Sequence, residues 1–425
     1  MKSDIISKEN ILKELFSKHR LGIKPGLERT LILSDSVGNP HDKFKSIHVA
    51  GTNGKGSVCS TLSSVFTEAG FKTGLYTSPH LIDFNERIKI DGNCINDEKI
   101  IEYYNRLKIS GDKINATFFE ITTVMAFMYF AESNVDIAVI ETGMGGRFDS
   151  TNIILPILSI ITKIDFDHSE FLGDSLEQIS YEKAGIIKQD VPCVISKNTR
   201  VVYDFIKKSS KSDNLHFSEY FGDVEFIKED IESSTWIYMN NKINYTLSGV
   251  YQIDNIKTIL FALKLLAHHL PVEIHHIAKG LQNVKNNSGL RARLEILFRD
   301  PLVILDGSHN TNSFENLYLT IKKHYPSHKW TVIFNVMSDK NTDGIFSYIN
   351  DLADEVIIPG LRTERAYQNR LLKEKFIEKQ FNKVVLKDSV DEAIKFGISK
   401  SKRILICGSF YLAGEVLEYF ERSKP

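Results

Sequence analysis

The feature that most constrains the fold is a strand-like segment that runs into a glycine-rich turn and then into a helix-like segment. The strand and turn read Ile47-His48-Val49-Ala50-Gly51-Thr52-Asn53-Gly54-Lys55-Gly56-Ser57, and helical spacing continues to Ala69. A glycine-rich turn before a helix lets backbone N–H groups approach phosphate oxygens, and the helix dipole favours the anion. Lys55 adds a positive charge, and Ser57 offers a hydroxyl to Mg²⁺. The segment therefore predicts a nucleoside triphosphate site on an α/β domain.

The turn departs from the usual phosphate-binding pattern G-x-x-x-x-G-K-[ST]. Val49 stands where the pattern has glycine, and Gly56 stands where it has serine or threonine, so the serine comes one residue late. The alternative is a turn rich in glycine and asparagine that binds no ligand. The strand–turn–helix context favours the phosphate site, because this context is what the motif requires.

The order of the segments predicts two α/β domains. A chain of 425 residues exceeds one typical core. Short β-branched runs such as Val135–Ile140 alternate with helical segments, which predicts a P-loop-containing, doubly wound N-terminal ATPase domain. The polar stretch Asn283–Ser288 marks a boundary, so we predict domains at residues 1–288 and 289–425. Alternating strands and helices beyond it predict a smaller Rossmann-like α/β domain.

Composition and charge argue against several classes of protein. A formal net charge of −1 gives no electrostatic basis for binding nucleic acid or an anionic membrane surface. The four cysteines lie far apart without a CxxC pair, which argues against a zinc ribbon or disulfide scaffold and fits reduced thiols. The sequence contains no apolar run of membrane-spanning length and no signal-type N-terminal segment, so we expect a cytoplasmic protein.

Polar side chains follow two of the predicted buried strands. Glu141 ends one strand and opens Glu141-Thr142-Gly143-Met144-Gly145-Gly146-Arg147, and His168 follows Leu158–Ile161 beside two aspartates. Ligands of open α/β sheets bind beyond the carboxyl ends of the strands. We therefore predict that Glu141 binds a metal and that His168 binds a metal or phosphate. The alternatives are a glutamate that caps a glycine turn and a structural histidine.

The segment Thr162-Lys163-Ile164-Asp165 also resembles the guanine-binding motif of P-loop GTPases. Those proteins need a Mg²⁺-linked Asp-x-x-Gly between the P-loop and this motif, and residues 58–161 contain none. The GTPase interpretation is therefore disfavoured.

Taken together, five segments resemble one family, the folylpolyglutamate synthases and dihydrofolate synthases of the Mur ligase superfamily. The segments are Gly51–Ser57, Ser78-Pro79-His80-Leu81, Phe84-Asn85-Glu86-Arg87, Glu141–Arg147 and Asp306-Gly307-Ser308-His309-Asn310. The resemblance extends over residues 27–415, nearly the whole chain, with every segment in order. One departure is Ala292-Arg293, where the family usually has Gly-Arg.

The resemblance implies an ATP-dependent amide ligase. Members of the family phosphorylate a carboxylate of the pterin substrate with ATP, and the amine of L-glutamate then attacks the acyl phosphate. The protein positions the partners and neutralises phosphate charge. The implied substrates are dihydropteroate, folates and L-glutamate, and the implied cofactors are ATP and two Mg²⁺ ions. We expect a monomer that binds neither nucleic acid nor a membrane.

The resemblance also assigns roles at the ATP and metal sites. ATP contacts are implied for Asn53, Gly54, Lys55, Gly56, Ser57, Asn255, Arg293 and Asp306. Metal binding is implied for Ser57, Ser78, Glu141, His168 and Lys183, and catalytic roles for Lys55, Lys183, His168 and His309. Lys183 matches a lysine that family members carry as a carbamate, an anion able to bind a second Mg²⁺. A solvent-exposed helix lysine is the alternative, and residue statistics alone favour it.

For the pterin side, the resemblance implies a substrate-binding set. Its members are Leu27, Glu28, Arg29, His80, Thr117, Phe118, Phe119, Glu120, Phe148, Asp149 and Ser150. Aromatic rings offer a stacking face for a flat heterocycle. For Phe118 and Phe119 the alternative is that both belong to the core of a buried helix.

Three other functions stay open at this point. A cell-wall Mur ligase would carry a further domain before the P-loop, and too few residues precede Gly51 for one. A P-loop NTPase switch would bind a partner and make no covalent product. Within the family, Ser78-Pro79-His80-Leu81 favours an enzyme with both activities, and a monofunctional folylpolyglutamate synthase is the alternative.

Overall fold

The chain divides into two compact units in this computed structural model, which describes residues 8–18, 26–210, 212–340, 342 and 344–422. Unit 1 contains the described residues up to Pro79 together with Asn85–Asp223 and Asp254–Gly289. Unit 2 contains His80–Phe84, Val224–Ile253 and the described residues from Leu290 onward. The predicted boundary at 288/289 lies beside the division at Gly289, but two segments assigned to the first domain belong to unit 2.

The second of these segments belongs to unit 2 for a clear physical reason. Within Val224–Ile253, the backbone N–H of Val250 donates to Thr320 Oγ1 at 3.2 Å. The side chain of Tyr251 also packs against the hydrophobic cluster of unit 2. The polar stretch at 283–288 marks only the last passage of the chain from unit 1 to unit 2. It does not indicate that the earlier segment Val224–Ile253 also belongs to unit 2.

Helices and strands alternate through most of the chain. The helices are α1 (Lys8–Ser17), α2 (Glu28–Asp35), α3 (Lys55–Glu68), α4 (Asp97–Lys113), α5 (Phe118–Glu132), α6 (Ser169–Leu172), α7 (Leu176–Lys183), α8 (Arg200–Ser209), α9 (Gln252–Leu266), α10 (Ile274–Gln282), α11 (Val284–Ser288), α12 (Thr311–His324), α13 (Ile345–Leu352), α14 (Asn369–Glu378), α15 (Val390–Lys400) and α16 (Phe410–Arg422). The strands are β1 (Lys45–Ala50), β2 (Thr73–Tyr76), β3 (Ile88–Ile90), β4 (Asn93–Cys94), β5 (Ile137–Glu141), β6 (Leu158–Ile161), β7 (Cys193–Ile195), β8 (Leu215–Phe217), β9 (Val224–Glu229), β10 (Ser234–Tyr238), β11 (Asn241–Tyr245), β12 (Glu295–Arg299), β13 (Leu302–Leu305), β14 (Trp330–Phe334), β15 (Ala353–Pro359), β16 (Val384–Lys387) and β17 (Arg403–Cys407).

Unit 1 is built on an eight-stranded sheet in the order β4-β3-β2-β5-β1-β6-β7-β8. The strands from β2 to β8 in this order pair in parallel, and β3 and β4 add an antiparallel edge. The order reverses around β1, which lies between β5 and β6. This is the predicted doubly wound arrangement, and it places the carboxyl ends of β1, β5 and β6 side by side.

Unit 2 contains a six-stranded sheet in the order β12-β13-β17-β14-β15-β16. Within this sheet β12 runs antiparallel to its neighbour and the other strands pair in parallel, which is the α/β character predicted for the C-terminal part. Strands β9 to β11 form a separate antiparallel sheet in the order β11-β10-β9.

Helix α3 is held closely by the last two helices of unit 1, α10 and α11. A Cβ atom on Gly280 would lie 2.5 Å from the backbone of α3, and Ser64 Oγ donates to Gly280 O at 2.7 Å. At the end of α3, the Glu68 carboxylate accepts hydrogen bonds from the side-chain amides of Asn283, at 2.8 Å, and Asn287, at 2.9 Å. The far end of the P-loop helix is therefore fixed by both packing and hydrogen bonds.

Short polar side chains cap the N-termini of α4 and α5. Asn96 accepts from Lys99 N at 2.9 Å and caps α4. Thr117 and Glu120 form a reciprocal capping box at the start of α5.

None of the helices in the described part of the chain combines the length and apolar character needed to cross a membrane.

We expect His48→Gln to reduce the acid sensitivity of unfolding. Burial within β1, and secondarily the positive charge of Lys188, lower the pKa of His48 from 6.5 to about 3. Below pH 6.5 His48 is protonated in the unfolded chain, whereas in the folded chain it stays neutral until about pH 3. The wild type therefore loses stability as the pH falls from 6.5 to 3. The glutamine of the variant takes up no proton in either state. Urea denaturation at pH 7 and pH 5 should give the wild type an additional loss of about 2 kcal/mol relative to the variant. Equal losses in both proteins would contradict this assignment.

Candidate active site

The glycine-rich turn joins the carboxyl end of β1 to α3, and two glycines determine its shape. Gly51 has φ of 151° and Gly54 has φ of 92°, in a region that L side chains rarely adopt. A Cβ on Gly51 would lie 1.8 Å from Thr162 Oγ1, and a Cβ on Gly54 would lie 2.6 Å from Asn255 Oδ1. Backbone conformation and available space therefore both require glycine at these positions.

The segment after β6 closes the turn through backbone hydrogen bonds. The N–H groups of Thr52 and Asn53 donate to Lys163 O at 2.7 and 3.2 Å. The Thr52 hydroxyl donates to Asp165 O at 2.9 Å and accepts from Asp165 N at 3.0 Å. This role of Thr52, Lys163 and Asp165 was not predicted, because contacts made through the backbone leave little signal in residue type.

The first turn of α3 consists of Lys55, Gly56 and Ser57, and the first intrahelical bond runs from Val58 N to Gly54 O at 3.0 Å. The N–H groups of a first helical turn have no acceptor within their own helix, and the helix dipole is positive at this end. The structure thus places three of the predicted ATP-binding residues where an anion is stabilised.

Lys55 and Lys183 meet at one backbone oxygen. Lys55 Nζ donates to Gly51 O at 3.1 Å, and Lys183 Nζ donates to the same oxygen at 2.9 Å. Lys183 is only 4% exposed, so it is not the solvated helix lysine that residue statistics favour. Burial, followed by the charge of Lys55, lowers the pKa of Lys183 to about 7. Two ammonium groups this close repel each other, and this repulsion adds to the effect of burial on the pKa.

Glu141 lies at the carboxyl end of β5 and is 4% exposed. Its Oε2 accepts from Ser78 N at 3.1 Å, and its Oε1 lies 4.0 Å from Lys55 Nζ. The structure therefore brings together three of the predicted site residues, which are Lys55, Ser78 and Glu141. Carboxylate and hydroxyl oxygens are the hard ligands that Mg²⁺ prefers, so this donor set fits the ion.

The described residues contain no group of three or more His, Cys, Asp or Glu side chains that could hold a metal. A Mg²⁺ site around Glu141 would thus depend on hydroxyl oxygens such as those of Ser57 and Ser78. His168 has φ of 52°, and its backbone N–H donates to Asp167 Oδ1 at 2.9 Å. The Asp167 carboxylate also raises the pKa of Lys183, opposing the effect of burial, which relates the His168 segment electrostatically to Lys183.

Within the predicted pterin-binding set, Arg29 and Glu120 form an ion pair. Arg29 Nε lies 2.8 Å from Glu120 Oε1, and Glu120 Oε2 accepts from Thr117 N at 2.7 Å. The capping box at the start of α5 therefore orients the carboxylate that Arg29 contacts.

The three predicted aromatic contacts have different surroundings. Phe118 is 2% exposed and its ring stacks on Phe16 at 5.4 Å, which supports the core alternative for this residue. Phe119 lies against the segment Thr142–Arg147 after Glu141, here called the glycine loop, where its ring leaves no room for a Cβ on Gly143. Phe148 is 49% exposed and is therefore accessible to a ligand.

Asp149 follows Phe148 and is buried. Its Oδ2 accepts from Met144 N at 2.9 Å, and its Oδ1 accepts from Thr151 N at 3.0 Å. Burial raises the pKa of this carboxyl, and these hydrogen bonds act in the opposite direction. The carboxylate thereby ties the glycine loop after Glu141 to the turn that contains Ser150.

In unit 2, the predicted residues Arg293, Asp306 and His309 lie together at the carboxyl end of β13. Asp306 is buried and accepts from Leu294 N and Ser308 N, each at 2.9 Å. The Arg293 guanidinium lies 4.9 Å from the centre of the Phe410 ring, and the His309 ring lies 5.1 Å from it. Phe410 was not predicted from the sequence, because an aromatic residue at the start of a helix is typical of core packing.

Ala292 occupies the position where the family usually has glycine. Its φ is 55°, in the left-handed region, and its side chain is buried. Alanine costs roughly 1–2 kcal/mol in this conformation. The hydrogen bond from Ala292 N to Glu295 Oε2, at 2.8 Å, holds the strained segment in place.

The remaining predicted residues lie on several elements. Leu27 precedes α2 and Glu28 begins it, while Asn255 lies on α9. His80 belongs to unit 2, where its ring lies 6.3 Å from that of Phe84.

Gly51→Ala should destabilise the protein by at least about 2 kcal/mol, because it adds a severe contact with Thr162 to an unfavourable φ. Gly222→Ala is the matched control: a Cβ there meets nothing within 4 Å, and the change should stay within about 0.5 kcal/mol. Urea denaturation of both variants measures the difference. Similar stability of the two variants would show that the turn is less constrained than the structure indicates.

Two protein families match the chain. The Mur ligase middle domain matches residues 49–269, and the Mur ligase glutamate ligase domain matches residues 292–410. The first match alone extends over more than half of the chain.

Individual relatives match over nearly the full length. The dihydrofolate synthase/folylpolyglutamate synthase of Bacillus subtilis is 32% identical, over 93% of this chain and 95% of that protein. The folylpolyglutamate synthase of Mycobacterium tuberculosis, solved with ADP and AMPPCP, has a TM-score of 0.85 at 27% identity and covers 98% of this chain and 100% of that one. The bifunctional folylpolyglutamate synthase/dihydrofolate synthase of Yersinia pestis, solved with AMPPNP and a Mn ion, has a TM-score of 0.84 at 25% identity and covers 98% of each chain. The chain is therefore an ATP-dependent ligase that belongs to the dihydrofolate synthase/folylpolyglutamate synthase family of Mur ligases.

Proposed function

We propose that this ligase adds L-glutamate both to dihydropteroate and to the glutamate tail of folates. The observation that carries the proposal is the meeting of Lys55, Ser78 and Glu141 at the carboxyl edge of the unit 1 sheet, beside the first turn of α3. This arrangement fits transfer of a phosphoryl group from ATP, and the names of the Bacillus subtilis and Yersinia pestis relatives support both activities.

The reaction needs ATP because a carboxylate is a poor electrophile. In the first step, a carboxylate oxygen of the pterin substrate attacks the γ-phosphorus of ATP, and ADP leaves. In the second step, the amine of glutamate attacks the carbonyl carbon of the acyl phosphate, loses a proton, and expels inorganic phosphate. The N–H groups of the first turn of α3 and the ammonium of Lys55 hold the phosphates and offset their charge.

We propose that Ser57, Ser78, Glu141, His168 and Lys183 hold divalent metal ions, with Mg²⁺ as the physiological ion. The Mn ion in the Yersinia pestis structure supports a divalent metal in this family. Bound metal would neutralise charge on the triphosphate. Glu141 is the strongest candidate ligand, because it is a buried carboxylate at the end of a central strand.

We further propose that Lys183 works as a carbamate. Its Nζ is buried and shares the Gly51 carbonyl oxygen with Lys55 Nζ. Addition of CO₂ to the neutral amine forms an N–C bond, releases a proton and leaves an anion. The repulsion between two ammonium groups would then become an attraction between Lys55 and the carbamate.

Other predicted residues are proposed as substrate contacts. In unit 2, we propose ATP contacts for Arg293 and Asp306 and a catalytic role for His309; the three lie close together, within the segment that matches the glutamate ligase domain. In unit 1, we propose pterin contacts for the Arg29–Glu120 pair, Phe119, Phe148 and Asp149; Arg29 and Glu120 form an ion pair, and the Phe148 ring is exposed. We assign ATP contacts to Asn53 and Asn255 because both lie at the glycine turn.

We also propose a cytoplasmic monomer with small-molecule substrates only. The four cysteines are free thiols, as expected in a reducing compartment. The net charge of −1 supports no role with nucleic acid.

The function is tested by measuring ADP release with dihydropteroate or tetrahydrofolate as acceptor and separating the products by mass. Release that requires both an acceptor and glutamate would support the ligase. Products from tetrahydrofolate alone would establish the monofunctional alternative, and turnover that is indifferent to acceptor and glutamate would favour an NTPase switch.

Lys55→Ala should lower kcat/KM for ATP by at least roughly 100-fold, because it removes a charge that offsets developing phosphate charge. Lys45→Ala is the matched control, since Lys45 is exposed at the opposite end of β1. ADP release under saturating acceptor measures both variants. Near-normal turnover of Lys55→Ala would mean that the nucleotide binds elsewhere.

Removal of CO₂ should inactivate the wild-type enzyme reversibly if Lys183 is a carbamate. Activity should fall at least about tenfold in CO₂-free buffer and return on addition of bicarbonate, whereas Lys183→Ala should be inactive under both conditions. Electron density beyond Nζ in crystals grown with bicarbonate provides a direct observation. Bicarbonate-independent activity together with unmodified density would exclude the carbamate.

A further inference from the structure

His48 is an unusual side chain for its position. It lies in the middle of β1, and its neighbours Ile47, Val49 and Ala50 are apolar and fully buried. The imidazole is fully buried as well, and its Nδ1 has no hydrogen-bond partner among the described residues. A buried acceptor without a partner costs free energy that an apolar residue would avoid. We therefore expect a contact of the other ring nitrogen, Nε2, to offset this free-energy cost.

That nitrogen begins a chain of hydrogen bonds that ends at Asp149. His48 Nε2 lies 2.8 Å from Thr151 Oγ1, and the Thr151 hydroxyl donates to Asp149 Oδ1. All three side chains are buried. Thr151 N also donates to the same carboxylate oxygen, at 3.0 Å, so that oxygen is held from two sides.

The direction of the chain follows from the chemistry of its members. The Thr151 hydroxyl donates its single proton to Asp149 Oδ1, the same oxygen that accepts from the Thr151 N–H. Thr151 Oγ1 must then accept from His48, which requires the neutral tautomer with its proton on Nε2. This tautomer leaves Nδ1 as the unprotonated atom, in agreement with the absence of a partner there among the described residues.

We propose that His48, acting through Thr151, is a positioning residue that orients the Asp149 carboxylate for the pterin substrate. The proposal rests on the proposed function, because Asp149 is assigned to the pterin-binding set there. His48 prevents the Thr151 hydroxyl from rotating away from Asp149, since Thr151 Oγ1 is engaged as an acceptor. Asp149 Oδ2 is held independently by Met144 N at 2.9 Å.

Orientation of Asp149 has consequences for both of its neighbouring segments. Asp149 lies between the exposed ring of Phe148 and the 3₁₀ turn Ser150–Ile153, which its side chain caps. Through Met144 it also fixes the glycine loop that follows Glu141. Loss of the Thr151 hydroxyl contact would leave Asp149 Oδ1 held only by Thr151 N and would loosen the orientation of the acidic group, while the bond to the glycine loop would persist.

The test uses two pairs of variants of the full-length enzyme. His48→Leu removes the donor, whereas His48→Gln keeps an N–H at a similar distance from the backbone. Thr151→Val removes the hydroxyl, whereas Thr151→Ser keeps it. Thr73→Val is the control for loss of a buried hydroxyl, because Thr73 Oγ1 donates to the Phe71 carbonyl at the amino end of β2, which is not adjacent to β1.

We expect His48→Leu and Thr151→Val to weaken dihydropteroate binding by about five- to tenfold, the usual effect of one hydrogen bond. His48→Gln and Thr151→Ser should bind within about twofold of the wild type, and KM for ATP should be unchanged in all variants. Isothermal titration calorimetry and initial rates measure these quantities. Equal losses in each pair, or a parallel rise in KM for ATP, would reduce His48 to a structural residue and overturn the proposal.

An independent measurement addresses the hydrogen-bond chain itself. In NMR spectra of protein with ¹⁵N-labelled histidine, the His48 signal is identified as the one that the His48→Gln variant lacks. This signal should show the neutral tautomer protonated at Nε2. Protonation at Nδ1 would overturn the proposal whatever the binding data show. A wild type that binds neither dihydropteroate nor folate would refute the proposed function, whereas normal binding by His48→Leu and Thr151→Val would refute only the role of His48.

Discussion

The hydrogen bonds that the Gly51 carbonyl oxygen accepts from Lys55 and Lys183 are the interaction on which the rest of the site depends. One lysine comes from the first turn of the P-loop helix and the other from the end of α7, so this oxygen joins two elements that are distant in sequence. Gly51 has a φ of 151°, a backbone conformation that other residues rarely adopt. The positions of both lysine ammonium groups are therefore tied to one peptide carbonyl group.

Much of the fold could be predicted from the sequence because it follows from short-range patterns. Buried β-branched runs alternating with helical spacing led to the doubly wound sheet, and the glycine turn placed the P-loop after its first strand. The return of Val224–Ile253 to unit 2 could not be predicted in the same way. It depends on long-range contacts such as that between Val250 and Thr320, which leave no periodic signal.

Residue type pointed to Lys55 and Glu141 as candidate site residues, and the structure places their charged groups 4.0 Å apart. Prediction failed where the backbone makes the contact: Lys163 closes the glycine turn through its carbonyl oxygen, which any residue could provide. No role was predicted for His48, because a single polar residue within an otherwise apolar buried strand does not identify its hydrogen-bond partner. For Phe118, resemblance implied a ligand contact, whereas its stacking on Phe16 supports a place in the core. The burial of a side chain in the structure distinguishes a core residue from a ligand contact, whereas the spacing of apolar residues in the sequence does not.

The anchoring of α3 has a consequence for the energetics of nucleotide binding. Close packing at Gly280 and the bonds from Asn283 and Asn287 to Glu68 immobilise this helix before any ligand arrives. The C-terminal half of the helix is therefore held in place, and little of its conformational entropy remains to be lost on binding. More of the interaction energy with the triphosphate is then free to appear as affinity or as stabilisation of the transition state.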